Sequence, residues 1–79
     1  MNFRTTVNTG TFTKADGSKR TMRFVRFNDI PSDFRGDKSP RSFGDTETVY
    51  DVEAKGYRVF NNTTVIGEVS STEEVVAFS

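Results

Sequence analysis

Two carboxylates two positions apart, Asp51 and Glu53, come nearest in this sequence to a catalytic arrangement. On an extended strand such side chains share one face about 6 to 7 Å apart, where one carboxyl group can act as acid and the other as base. The competing interpretation is a solvated strand face opposite the apolar Val52. Nothing nearby in the sequence indicates that the pKa of either carboxyl group would be raised, as an acid catalyst requires. We therefore favour the solvated face and predict that the protein is not an enzyme.

Histidine and cysteine are both absent from the 79 residues, which excludes most other catalytic chemistry. Without them no Ser-His-Asp arrangement, activated thiol, disulfide or cysteine-ligated zinc site can form. Asp45, Glu47 and Asp51 remain as oxygen ligands for a hard cation, but they lack the spacing of a calcium-binding loop. The sequence thus predicts no catalytic residue, no cofactor and no metal.

Basic and aromatic residues alternate closely in the stretch "KRTMRFVRF", residues 19 to 27. Aromatic rings beside arginines on a small barrel can stack nucleic-acid bases while the cations follow the phosphates. The other interpretation places Phe24 and Phe27 in the core, with the arginine stems covering apolar surface and their charged ends in water. We favour the second interpretation because so small a domain needs its phenylalanines for burial.

Charge is distributed unevenly along this chain of zero net charge. Residues 1 to 44 contain nine Lys or Arg and four acids, whereas residues 45 to 79 contain two Lys or Arg and seven acids. The two halves can form a two-faced molecule that is steered to a charged partner, or they can pair across strands and neutralise each other. We favour cross-strand pairing.

The hairpin "TVYDVEAKGYRVFN", residues 48 to 61, carries a second basic and aromatic pair. Strand alternation places Tyr57 and Val59 on one face and Arg58 and Phe60 on the other. We interpret the hairpin mainly as barrel wall, with Arg58 and Phe60 as a candidate recognition edge, since a basic and aromatic patch is typical of protein interface hot spots. Together with the basic strand and the loop at 34 to 44, this hairpin supplies the predicted partner-binding residues. They are Arg20, Arg23, Arg26, Phe34, Arg35, Lys38, Arg41, Arg58 and Phe60.

Turn residues divide the chain into short strands. Asp16-Gly17 predicts a hairpin joining strands at 2 to 13 and 19 to 28, because both positions of the turn tolerate positive φ. The phase of apolar residues changes between Phe24 and Val25, which indicates either a bulge or a strand buried on both faces. In the later hairpin, Gly56 is predicted to take the left-handed position of the turn.

The remaining segments are a long connection and two C-terminal stretches. Residues 28 to 45 hold both prolines and are predicted to form a loop with one turn of helix after Asp29, its ends anchored by Phe34 and Phe43. A strand at 63 to 69 follows, in which Gly67 marks a bulge or a close backbone approach. The segment "SSTEEVVAFS" fits both a helix start and a strand, and we choose a final short strand.

These elements predict an all-β single domain over residues 1 to 79, a small SH3-like or Sm-like partly open barrel. It would have five to six antiparallel strands and one long loop. No apolar run resembles a signal peptide or a membrane span, so we expect a cytoplasmic protein without membrane contact. The C-terminal strand offers an edge through which a second copy could form a homo-oligomer.

The runs "DGSKRTMRFVRFNDIP" and "TVYDVEAKGYRVFNNTTVIGEV" resemble small phage proteins of the WYL-like, Sm-type SH3 β-barrel family. The resemblance covers roughly residues 12 to 69, and no Trp-Tyr-Leu triplet is present. It implies a phage-encoded accessory protein acting in the host bacterial cytoplasm. We therefore expect a non-enzymatic binding protein that modulates a host protein through a barrel edge and the loop. Nucleic-acid or nucleotide binding is the alternative.

Overall fold

The structure, a computed structural model, describes residues 1 to 36 and 42 to 78. Its dominant feature is one antiparallel sheet of six strands. They are β1 (Asn2–Thr13), β2 (Lys19–Arg26), β3 (Ser42–Phe43), β4 (Thr46–Asp51), β5 (Gly56–Asn61) and β6 (Val65–Ala77). The predicted all-β class with five to six antiparallel strands is confirmed. The predicted binding residues Lys38 and Arg41 lie outside the described residues.

The sheet is open rather than closed into a full barrel. Its order is β5-β4-β2-β1-β6, and the short strand β3 pairs with the beginning of β4. Among residues 1 to 36 and 42 to 78, no ladder joins β5 to β6. Each of these two strands therefore has an outer edge, which agrees with the predicted partly open barrel.

In residues 1 to 36 and 42 to 78, helical structure is confined to short pieces. A 3₁₀ turn at Phe27–Asp29 leads into the four-residue helix α1 (Ser32–Arg35), and a second 3₁₀ turn at Asn62–Thr64 connects β5 to β6. The turn of helix predicted after Asp29 is confirmed. Within the described part of the chain, no helix has the length and apolarity needed to cross a membrane.

The β1–β2 hairpin forms at the predicted Asp16-Gly17 turn. The Asp16 carboxylate accepts hydrogen bonds from the backbone N–H and the hydroxyl of Ser18, at 2.9 and 2.6 Å. These bonds stabilise the ionised form and lower the pKa of Asp16. Gly17 has a φ of 89°, which a glycine adopts without a steric penalty.

The β4–β5 turn differs from the prediction in one residue. Lys55, with a φ of 56°, takes the left-handed position, and Gly56 instead pairs with Asp51 as the first residue of β5. The reason is the Asp51 carboxylate, whose Oδ1 accepts the N–H groups of Glu53 and Ala54, both at 3.0 Å. This side chain organises the turn and moves the left-handed residue one position earlier.

Both faces of the sheet are covered by apolar residues. The front core contains Met22, Phe24, Val49 and Phe60, with Phe12, Val65 and Val69 packed against it. The back core contains Val7, Val25, Phe27, Ile30, Tyr50, Val76 and Phe78, with Phe34, Val52 and Tyr57 packed against it. The pairing of β2 with β1 and β4 shows no register shift. The apolar phase change at Phe24-Val25 therefore reflects a strand buried on both faces.

The two C-terminal stretches form one strand, β6, of 13 residues. The prediction of a separate final strand is wrong in this respect, because pairing with β1 continues across a register shift opposite Gly10. Gly67, with a φ of 73°, lies in this bulge as predicted. The bulge sets Val69 over Gly10, where an added Cβ would approach the Val69 Cγ2 atom to 3.1 Å.

Candidate functional site

The three arginines of β2 are engaged in ion pairs inside the molecule. Arg20 binds Asp51 at 2.8 Å, Arg23 binds Glu74, and Arg26 binds Glu47. Every acid in these pairs comes from the second half of the chain, so the predicted cross-strand neutralisation is confirmed for β2. These guanidinium groups were predicted to contact a partner, and the structure shows each already holding a carboxylate.

Asp51 has a structural position rather than a place on an open strand face. Its side chain is 2% exposed, and its oxygens accept hydrogen bonds from Arg20 and from the two turn amides. Glu53 lies in the exposed turn. The geometry assumed for an Asp51–Glu53 acid and base pair is thus wrong, since the two carboxylates do not share a strand face. Within the described residues, no three His, Cys, Asp or Glu side chains are grouped to hold a metal ion.

The Arg23–Glu74 pair joins β2 to β6 across β1. The Arg23 guanidinium, followed by the Thr72 hydroxyl, holds the pKa of Glu74 below its usual value. The hydrogen bond to Glu74 raises the pKa of Arg23 in turn. Both shifts favour the charged forms of the two side chains.

Phe60 belongs to the front core and not to a recognition edge. It is 0% exposed and stacks on Phe24 with the ring centroids 4.4 Å apart, while Phe12 contacts it edge to face. The predicted placement of Phe60 at the surface is therefore corrected. Its neighbour Arg58 is exposed and donates a hydrogen bond to the Tyr57 carbonyl oxygen at 3.1 Å.

The loop residues Phe34 and Arg35 both lie against the back core. The Phe34 ring is 5.2 Å from Phe78 and 5.6 Å from Tyr50, which confirms its predicted anchoring role. The Arg35 guanidinium lies over the Phe27 ring at 5.4 Å. Both side chains are half-buried, so replacing Phe34 would disturb packing as well as any contact with a partner.

The outer edge of β6 has hydrogen-bonding groups that no other strand uses. Among the described residues, β6 pairs only with β1. Met1 and Phe78 exchange two backbone hydrogen bonds, at 2.7 and 3.0 Å, and this fixes the alternation of the ladder. Counting back by twos, the N–H and C=O groups of Ser71, Glu73, Val75 and Ala77 point away from β1.

A groove of roughly 200 Å³ lies beside this edge. Cross-strand pairing places Val7, Arg23, Glu74 and Val76 on one face of the sheet, and the β4–β5 turn extends beside them. The groove is lined by Val7, Arg23, Val52, Glu53, Lys55, Glu74, Val75, Val76 and Ala77. Its lining combines apolar residues with the four charged residues Arg23, Glu53, Lys55 and Glu74.

Sequence reasoning pointed to the C-terminal strand as an edge but missed the groove. Val75 is 62% exposed and lies at the groove, although its place in "SSTEEVVAFS" resembles an ordinary strand residue. The sequence contained one sign of an exposed apolar side chain here, the consecutive valines Val75 and Val76. Successive side chains of a strand point to opposite faces, so only one of the two valines can face the core. Val52, Glu53 and Lys55 join the site through tertiary structure that no local pattern reveals.

Comparison of the chain with protein-family models, with curated proteins and with solved structures finds no match.

Proposed function

We propose that this protein is a non-enzymatic binding module that engages another protein through the open β6 edge of its sheet. The observation that carries the proposal is the row of outward backbone groups at Ser71 to Ala77, next to an exposed valine and a groove. Strand edges of this kind pair readily with a strand from another chain. Asp51 and the three arginines of β2, which came nearest to a catalytic or phosphate-binding arrangement, already serve internal contacts.

The resemblance to small phage proteins supplies the proposed biological setting. On that basis the partner would be a host bacterial protein whose activity the bound module modulates. The predicted loop residues at 34 to 44 would contribute a second contact region, in which Arg35, half-buried over Phe27, is the described cation.

Nucleic-acid binding remains the competing function, but its main support is weaker than the sequence suggested. Binding a phosphate with Arg20, Arg23 or Arg26 would require breaking an ion pair to Asp51, Glu74 or Glu47. In addition, Phe24 is fully buried and has no face free for a base to stack on.

Affinity capture from bacterial lysate, with and without nuclease, tests the proposal. We expect one protein to be retained in near-stoichiometric amount after nuclease treatment. The Val75→Lys variant should lose this protein, whereas Val59→Lys should keep it. The two valines are matched, at 62% and 63% exposure, but Val59 lies on β5 at the other end of the sheet.

Loss of all bound material after nuclease would overturn the proposal in favour of nucleic acid. In that case binding should also weaken steeply with added salt, because phosphate contacts release counterions.

A further inference from the structure

We infer that the β6 edge accepts an extended peptide segment of its partner, which adds as a further strand and seats one large apolar side chain in the adjacent groove. This inference rests on the proposed function and specifies the binding mode and the chemistry of the bound segment.

The backbone of β6 determines the conformation of the bound segment. The outward N–H and C=O groups of Ser71, Glu73, Val75 and Ala77 recur at every second residue, which is the hydrogen-bonding pattern of one side of a strand. A helix satisfies its own backbone groups and could not use them. Only an extended backbone matches four such positions in a row.

The position of the groove determines where a side chain of that segment would lie. Side chains of an added strand that stand beside Glu74 and Val76 point to the same face of the sheet as these two residues. That face contains the groove, whose apolar lining includes Val7, Val52 and Val76. An added strand therefore directs alternate side chains into the groove and the others away from it.

The size of the groove favours a side chain over a small molecule. At roughly 200 Å³ it is smaller than the ligand pockets of about 300 to 1,000 Å³ that hold cofactors and drug-sized compounds. A volume of this order suits one Leu, Met or Phe side chain. Large side chains buried in a pocket dominate the free energy of many protein interfaces.

A second copy of this chain fits the edge poorly. The β6 side chains on the groove face are Ser70, Thr72, Glu74 and Val76, and Val76 is buried in the core of its own molecule. A second β6 would therefore present the polar Ser70 and Thr72 and the acidic Glu74 to the valines of the groove. The joined strands would also bring Glu68, Glu73 and Glu74 of each copy into one ladder, where like charges repel. The fitting occupant is a segment of a different protein that carries a large apolar residue at the matching position.

Selection of short random linear peptides displayed on phage against the full-length protein tests this inference. We expect the enriched peptides to share one Leu, Met or Phe among residues that alternate in polarity. Their affinity should fall about tenfold for the Val75→Pro variant, which removes an outward N–H but no bond to β1. Val59→Lys should bind them as the unaltered protein does.

If the proline variant does not fold, nuclear magnetic resonance of the isotopically labelled, unaltered protein can locate the bound peptide instead. The selected peptides should then shift the amide signals of Ser71, Glu73, Val75 and Ala77 most strongly. The inference is overturned if no peptides are enriched, or if the enriched ones bind without involving these amides or Val75. A partner that survives nuclease and needs Val75, but that no extended segment can replace, would sink this inference while leaving the proposed function intact.

Discussion

The strands β2 and β6 lie on opposite sides of β1 and differ in which of their groups are already bonded within the molecule. β2 has a conspicuous sequence, but its arginines hold carboxylates and Phe24 lies within the core. β6 has an ordinary sequence, yet its backbone groups along one edge have no strand to pair with among the described residues. In this protein β2, whose sequence resembles a binding surface, stabilises the fold. The ordinary-looking β6 keeps outward N–H and C=O groups that could bond to a partner.

Removal of the Phe60 ring should give the largest effect, because this ring packs directly on β2. We expect Phe60→Ala to lower the free energy of unfolding by about 3 to 5 kcal/mol. Urea denaturation followed by circular dichroism measures the change. The neighbouring Val59→Ala should alter it by no more than about 0.5 kcal/mol, since that side chain is 63% exposed. A loss below about 1 kcal/mol for Phe60→Ala would mean that Phe60 is not a core residue and could contact a partner at the surface.

Loss of the Asp51 carboxylate should be the next largest effect. Asp51→Ala leaves Arg20 and the amides of Glu53 and Ala54 without their acceptor, and we expect a cost of about 2 kcal/mol. The same denaturation measurement on Glu53→Ala serves as the control, because Glu53 is exposed in the same turn. Equal effects of the two variants would mean that Asp51 is not the residue that organises the turn.

Gly10 tests the packing between β1 and the bulge of β6. In Gly10→Ala the new Cβ would lie 3.1 Å from Val69 Cγ2 and 3.4 Å from the Phe60 ring. We expect this crowding to cost about 1 kcal/mol in thermal or urea unfolding. Unchanged or increased stability would show that the bulge can move away from β1, which would make β6 a looser strand than described.

The ion pair between Arg23 and Glu74 should give the smallest effect, and it depends on pH. Because the folded pKa of Glu74 is lower than its ordinary value of 4.5, the unfolded chain binds the proton more tightly. The contribution of Glu74 is therefore complete above pH 4.5 and is lost as the pH falls through its folded pKa.

Urea midpoints measured over a series of acidic pH values should thus fall less steeply for Glu74→Gln than for the unaltered protein. Glu68→Gln provides the control, because Glu68 is exposed and has no ion pair among the described residues. An unchanged pH profile for Glu74→Gln would indicate that β2 and β6 are not linked through this pair.

Features that depend on residues close together in the chain could be predicted from the sequence, whereas features that depend on distant residues could not. The Asp16-Gly17 hairpin, the helical turn after Asp29 and the Gly67 bulge depend on residues close in the chain, and all three were predicted. The left-handed residue of the second hairpin was misplaced because the Asp51 side chain, rather than the glycine, determines that turn.

The candidate site was harder to predict because it depends on distant residues. Arg23 and Glu74 are 51 positions apart, and no local pattern shows that the charge of one is balanced by the other. The groove likewise combines the β4–β5 turn with the end of β6. Strand alternation predicted that Arg58 and Phe60 share a face, but it could not show that this face is buried at Phe60.

Hydrogen exchange of the free protein, followed residue by residue by nuclear magnetic resonance, tests most directly whether the β6 edge is open. We predict alternation: the amides of Ser71, Glu73, Val75 and Ala77 exchange rapidly, whereas those of Thr72, Glu74 and Val76, which point to β1, exchange slowly. Slow exchange at all seven positions would mean that another segment or a second copy already covers the edge, and it would contradict the account.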